Sequence, residues 1–267
     1  MIRPLGRRVE HDPRSRAFAL PESDLSTLTS VRWTRHAPVF NQGQLGSCTG
    51  NALVGGVSTG PLYDALAAIK RLPPLTEAQA VAVYSEATSI DEFLGQYPPD
   101  DTGSSGLAVA KVAREHGWIE SYSHAFSFNA ALTGLQSAPL ITGVNWYEDF
   151  DEPEPDGEMP FPNGVVRGGH ELCVDELDVE HDRVWVTNSW GADWGLKGRA
   201  YWRFATWNRL LSEQGDATML VPVPAPRKPD ADGCLLAALL PWALRRHARD
   251  NAKAAKAFLV WKAEKGL

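Results

Sequence analysis

The order of two sequence textures constrains this chain more than any other feature. Residues 48–118 carry helical patterning over Cys48–Val57, Leu62–Lys70, Glu77–Ala87 and Leu107–His116. In LTEAQAVAVYSEA, Thr76 stands where an N-cap hydroxyl belongs. Residues 138–204 change character. LITGVNWY, HELCVDELDV, DRVWVTNSW and GRAYWRF alternate or run apolar, and Gly- and Asp-rich turns separate them. Helices first and strands later exclude alternating βαβ units. They predict an α+β protein with a helical lobe and a sheet lobe. Ten tryptophans and 23 glycines among 267 residues fit a loop-rich fold with large aromatic anchors.

Charge divides the chain a second way. Residues 223–267 carry nine Lys+Arg against four Asp+Glu, whereas the rest carries 17 against 29. The proline-rich VPVPAPRKPDADG marks a linker, and the Ala-, Leu- and Lys-rich stretch after it reads as one broken helix or two, interrupted at Pro241. The expected layout is therefore an N-terminal arm at 1–30, a body at 31–222, and a linker with a basic helical tail at 223–267. The tail packs on its own domain or docks a protein partner through residues 234–267.

Several function classes are disfavoured. A formal charge of −7 argues against a nucleic-acid binder. Cys48, Cys173 and Cys234 form an odd set without a CxxC pair, so zinc knuckles and dithiol redox motifs are excluded, and no metal or other cofactor is expected. The polar start MIRPLGRRVEHDPRSR has no apolar core of a secretory signal, and no run reaches the ~20 apolar residues of a membrane span. This favours a cytoplasmic protein or a component of an assembled particle. The acid-rich EDFDEPEPDGEMP matches no EF-hand spacing and reads as a solvated loop between strands, one that hints at basic substrates.

The residues able to do chemistry lie in three blocks. NQGQLGSCTGNA places Cys48 at the start of a helical stretch, where the macrodipole and unpaired N–H groups favour thiolate over thiol. Gly43 and Gly46 let backbone approach a substrate, and Gln42 can aim an amide N–H at a developing oxyanion beside the Cys48 N–H. GGHELCV places His170 where a strand begins, in position to serve as general base and acid. Asn188 ends an apolar strand eighteen residues later, a spacing suited to a hairpin returning beside His170. Its amide oxygen can accept the imidazole N–H, and Trp190 can shield that bond from water. Read singly, Cys48 is equally a structural cysteine behind a Gly-rich turn, and His170 a satisfied strand-end histidine. Cys173 reads as core packing.

Taken together, Q-x5-C, then G-H, then N-S-W-G-x-x-W-G resembles the papain-like cysteine peptidases, family C1. PVFNQGQLGSCTGNA is similar to the bacterial and phage branch of that family in particular. HDPRSRAFALP, DDTGSSGLAVAKVAREHGW and VNWYEDFD extend the likeness over residues 9–204. The resemblance implies a papain-like two-lobed fold, with Cys48 on the helical lobe and His170 and Asn188 on the antiparallel sheet lobe. It also implies Cys48 as nucleophile, His170 as acid/base, Asn188 as orienter and Gln42 as oxyanion donor. Gly46, Gly103, Ser104 and Trp190 would line the substrate site, with Trp194 completing an aromatic pair. Three departures stand out: Leu45 replaces a cysteine that often forms a disulfide, Thr49 stands where papain has Trp, and Glu171 follows the histidine where a small apolar residue is commoner. Glu171 either steadies the imidazolium or alters the substrate pocket.

The expected function is a cysteine endopeptidase acting on protein or peptide substrates. Two alternatives stand beside it. One is an assembly component, for example of a phage particle, that keeps the fold and docks a partner through its tail. The other is a peptidoglycan amide hydrolase using the same machinery. Residues 1–30 are expected to lie across the cleft as an inhibitory arm.

Overall fold

The computed structural model describes residues 3–10, 12–70 and 73–224. The basic tail, and with it the expectation of a helical extension that docks a partner, lies outside the described residues.

Four helices form early in the chain: α1 (Cys48–Val57), α2 (Leu62–Lys70), α3 (Glu77–Ile90) and α4 (Gly106–Glu115). Thr76 caps α3, and its backbone N–H donates to Gln79 Oε1 at 2.7 Å. Leu53, Val57, Leu66, Val83, Val109 and Val112 meet in one apolar cluster. α1 is buried along its whole length, and its residues contact α3, α4 and the sheet. That burial needs close backbone approach, which Gly50 permits. A β-carbon on Gly50 would lie 2.2 Å from the Ala80 carbonyl oxygen of α3.

The second half builds a sheet of strands β1 (Val31–Arg32), β2 (Ser121–Ala125), β3 (Leu140–Tyr147), β4 (Val166–Asp178), β5 (Arg183–Thr187), β6 (Arg199–Arg203) and β7 (Asp216–Val221). The main path runs β2-β7-β3-β4-β5-β6, and β1 pairs with β4; the registers are antiparallel throughout. Two further helices, α5 (Phe128–Leu135) and α6 (Phe204–Ser212), contact this sheet. Its core is aromatic: Trp146, Phe150, Trp194, Trp202 and Trp207 are buried together with Leu172 and Val184. The fold is α+β with helical and sheet clusters, as the textures predict.

The acidic loop departs from its expectation. Phe150 and Met159 within it are fully buried, and Asp151 accepts from Trp146 Nε1 at 2.9 Å and from the Arg167 guanidinium. The loop is thus part of the sheet lobe's structure, because its apolar residues anchor it and Asp151 satisfies a buried indole.

Gly50→Ala tests the helix packing that carries Cys48. Helix propensity alone predicts a gain of about 1 kcal/mol. The contact with Ala80 O predicts a net loss of about 1–3 kcal/mol, read as a lower urea midpoint.

Candidate active site

Cys48 opens α1, and His170 lies on β4, the strand against which α1 packs. The thiol sits against the backbone N–H groups of Glu171, Gly6 and Thr49. Sulfur therefore lies one residue along the strand from His170. The imidazole Nε2 lies 2.8 Å from Asn188 Oδ1, which also accepts from the Ser189 N–H at 2.7 Å. An amide oxygen can only accept, so Nε2 carries the proton and Nδ1 is left with its lone pair. Nδ1 has no hydrogen-bond partner among the described residues.

Aromatic rings enclose this bond. Trp190 stacks on the His170 ring at 4.7 Å and 27°, Trp146 meets it edge-on at 4.8 Å, and Trp194 stands perpendicular to Trp190 at 5.7 Å. The expected shield is therefore present, and Trp146 enlarges it. Trp146 falls within the VNWYEDFD stretch, which assigns it no role. Its role follows from its place on β3, where the neighbouring Val144 pairs with His170.

Gln42 is buried and held at both ends. Its Oε1 accepts from Ser189 Oγ at 2.6 Å, and its Nε2 donates to Leu45 O at 2.8 Å and lies 3.5 Å from Pro4 O. The Leu45 carbonyl, which can only accept, fixes which end of the amide is the donor. Gly46 donates its N–H to Asp101 Oδ2 at 2.8 Å, and Gly103 holds a left-handed φ of +71°.

The groove between these elements is filled by the chain's own N-terminal residues. Ser104 N–H donates to Gly6 O at 2.8 Å, Arg8 N–H donates to Ser104 O at 2.7 Å, and Arg7 N–H donates to Gly169 O at 3.0 Å. The fit is close: a β-carbon on Gly6 would lie 1.8 Å from Gly46 O, one on Gly103 2.4 Å from Gly6 O, and one on Gly169 2.3 Å from Arg7 O. Further along, Arg3 lies over the Trp190 ring, and Arg167 donates to Arg3 O at 3.0 Å. Gly46, Gly103, Ser104 and Trp190 all line this groove, together with Gly169, the glycine before His170, to which the sequence motifs assign no role.

Covering the groove sets the electrostatics. Burial pushes the Cys48 thiol up to about 12, against the pull of the N–H groups facing it. Burial also pushes His170 down to about 4, although the Asn188 bond favours its protonated form. The covered pair is neutral, in contrast to the thiolate–imidazolium that the helix N-terminus favours, because desolvation of both charges outweighs the local donors. Glu171 is not beside the imidazole. It faces Arg7 and Asp216, and it is not among the groups that shift the imidazole, so the expected steadying of the imidazolium is not seen. Cys173 is buried in the core, as expected.

These features can be set beside known proteins. No family model matches the sequence, and no curated protein sequence does either. Solved structures do match. Xylellain, a cysteine protease from Xylella fastidiosa, aligns at 17% identity over 84% of this chain and 99% of its own, with a TM-score of 0.65. Digestive procathepsin L 3 of Tenebrio molitor aligns at 14% over 82% of this chain and 76% of its own, with a TM-score of 0.56. The Carica candamarcensis protease CMS1MS2, solved with E-64, aligns at 16% over 74% of this chain and all of its own, with a TM-score of 0.51. The chain has the fold of the papain-like cysteine proteases.

The buried neutral imidazole has a measurable consequence. An unfolded histidine gains its proton near pH 6.5, whereas the folded His170 does so only near 4. Stability is fully present above 6.5 and falls as pH drops toward 4, by up to about 3 kcal/mol. His170→Gln should remove that share of the acid dependence, read as urea midpoints at pH 7 and pH 4.5.

Proposed function

We propose that this chain is a cysteine endopeptidase held closed by its own N-terminal arm. The supporting observation is the convergence on one groove of a cysteine at a helix N-terminus and a histidine whose tautomer is fixed by Asn188 under Trp190. Such an imidazole offers its free Nδ1 as the base for a thiol. With the arm displaced, water and substrate dipoles return to the groove, and proton transfer from Cys48 to His170 gives the thiolate–imidazolium pair. The thiolate attacks the peptide carbonyl carbon. Negative charge develops on oxygen, where Gln42 Nε2 and the Cys48 N–H donate to it. His170 returns the proton to the leaving amine, and water releases the acyl group from sulfur.

The arm does not itself offer a reactive bond to the thiol. The group of the arm that meets sulfur is the Gly6 N–H, a hydrogen-bond donor. Attack needs a carbon about 3–3.5 Å away along the right trajectory. The arm therefore occupies the groove in a register that the chemistry cannot use, and acts as a competitive plug.

Two measurements test this reading. An epoxide thiol reagent should modify Cys48 in Arg7→Ala at least about tenfold faster than in the parent chain, with no labelling in Cys48→Ala. Loss of the buried Arg7 charge pairing weakens the arm by well over the about 1.4 kcal/mol that a tenfold change needs. On a fluorogenic peptide, Gln42→Ala should lower kcat by about 10²–10³-fold. No selective modification of Cys48 in either chain overturns the proposal.

A further inference from the structure

Three strands place two carboxylates around a glycine. On β4, β3 and β7, Glu171 pairs with Gly143 and Gly143 with Asp216. The space above Gly143 is filled by the Arg7 side chain. A β-carbon on Gly143 would lie 2.4 Å from Arg7 Nε and 2.7 Å from both Glu171 Oε2 and Asp216 Oδ2. A second glycine closes the other side: a β-carbon on Gly106, the first residue of α4, would lie 2.7 Å from Glu171 Oε1 and 3.3 Å from Asp216 Oδ1. Two glycines on separate elements thus leave room for one long cationic side chain.

Arg7 is gripped there. Its side chain is 1% exposed, and one terminal nitrogen donates to Asp216 Oδ2 at 2.5 Å and to Gln214 O at 2.6 Å. Burial opposes its charge, but Asp216 and Glu171 more than offset this and hold the guanidinium above its ordinary range. Burial and the nearby Asp216 push the Glu171 carboxyl well up, whereas Arg7 pulls it down. Neither Glu171 oxygen has a hydrogen-bond partner among the described residues, and neither do Arg7 Nε and Nη1. The pocket therefore holds acceptors that Arg7, in its present pose, does not use. A buried, unused carboxylate is costly for a site whose task is only to pin an arm. It suits one that receives a guanidinium arriving from a different backbone register.

We propose that Glu171 and Asp216 select arginine in the peptide substrate, and that Arg7 fills their pocket only while the arm is bound. The inference rests on the peptidase reading above. Arg7 is the residue after Gly6, whose N–H meets sulfur, so the pocket accepts a side chain about one residue from the reacting bond. Arginine is favoured over lysine because two carboxylates on opposite sides of Gly143 match a planar fork better than a point charge. Apolar side chains would leave Glu171 buried and both acids unpaired.

The test uses the full chain carrying Arg7→Ala, with two readouts. The first is hydrolysis of N-acetyl tetrapeptide aminocoumarins in which Arg, Lys or Leu is moved through the three residues nearest the cleaved bond. At one position, kcat/KM for Arg should exceed that for Leu by about 100-fold, and Glu171→Gln in the same background should cut the ratio to about tenfold or less. Asp216→Asn is the companion variant should the first fail to fold. The second readout needs no turnover: millimolar N-ethylguanidinium should raise the melting temperature of Arg7→Ala, and not of Arg7→Ala/Glu171→Gln, by refilling the vacated pocket. Turnover without an arginine preference overturns the pocket and leaves the peptidase standing. Stabilisation by the guanidinium without any turnover keeps the arginine pocket and removes the peptidase. No turnover and no stabilisation removes both.

Discussion

Exclusion of water from the groove between the helical and sheet clusters controls the behaviour of every group within it. It raises the Cys48 thiol, lowers His170, and makes the Arg7 contact with two acids matter far more than a surface ion pair would. The same residues in an open groove would have different protonation states. The arm is thus an electrostatic element as well as a steric one, since by covering the groove it removes the solvent that separated charges require.

The geometry that permits this is built from backbone proximity. Gly6, Gly103 and Gly169 bring three chain segments together so that main-chain hydrogen bonds hold the arm on both sides. Gly50 lets α1 sink against α3, which fixes the position of the helix start. Gly143 leaves a hole in the middle of the sheet, which the Arg7 side chain fills. In each case a missing β-carbon, rather than an added contact, makes the site.

Much of this was legible in the sequence where local pattern and packing agree. LITGVNWY forms β3 with the bounds its alternation predicts, and Cys48–Val57 and Leu62–Lys70 are α1 and α2. The Asn188–His170 bond also follows from spacing, because β5 pairs with β4 and returns the chain beside the histidine. Other elements carried too little signal. α5 has only eight residues and an internal glycine, and β2, SYSHA, is half polar because it lies at the end of the sheet path. The arginine pocket left no local trace at all. Arg7 and Asp216 lie 209 residues apart, and Glu171 reads only as an odd neighbour for a histidine. Pairings of that kind are fixed by strand register, which a periodicity search does not see.

The most direct measurement of the central claim is the rate of Cys48 alkylation as a function of pH in Arg7→Ala, with His170→Gln as the comparison. An imidazole-paired thiolate reacts from about pH 4 upward and stays reactive through neutrality, and loss of His170 returns it to ordinary behaviour. A rate that rises only near pH 8.5 or above, and is the same with or without His170, would contradict the account.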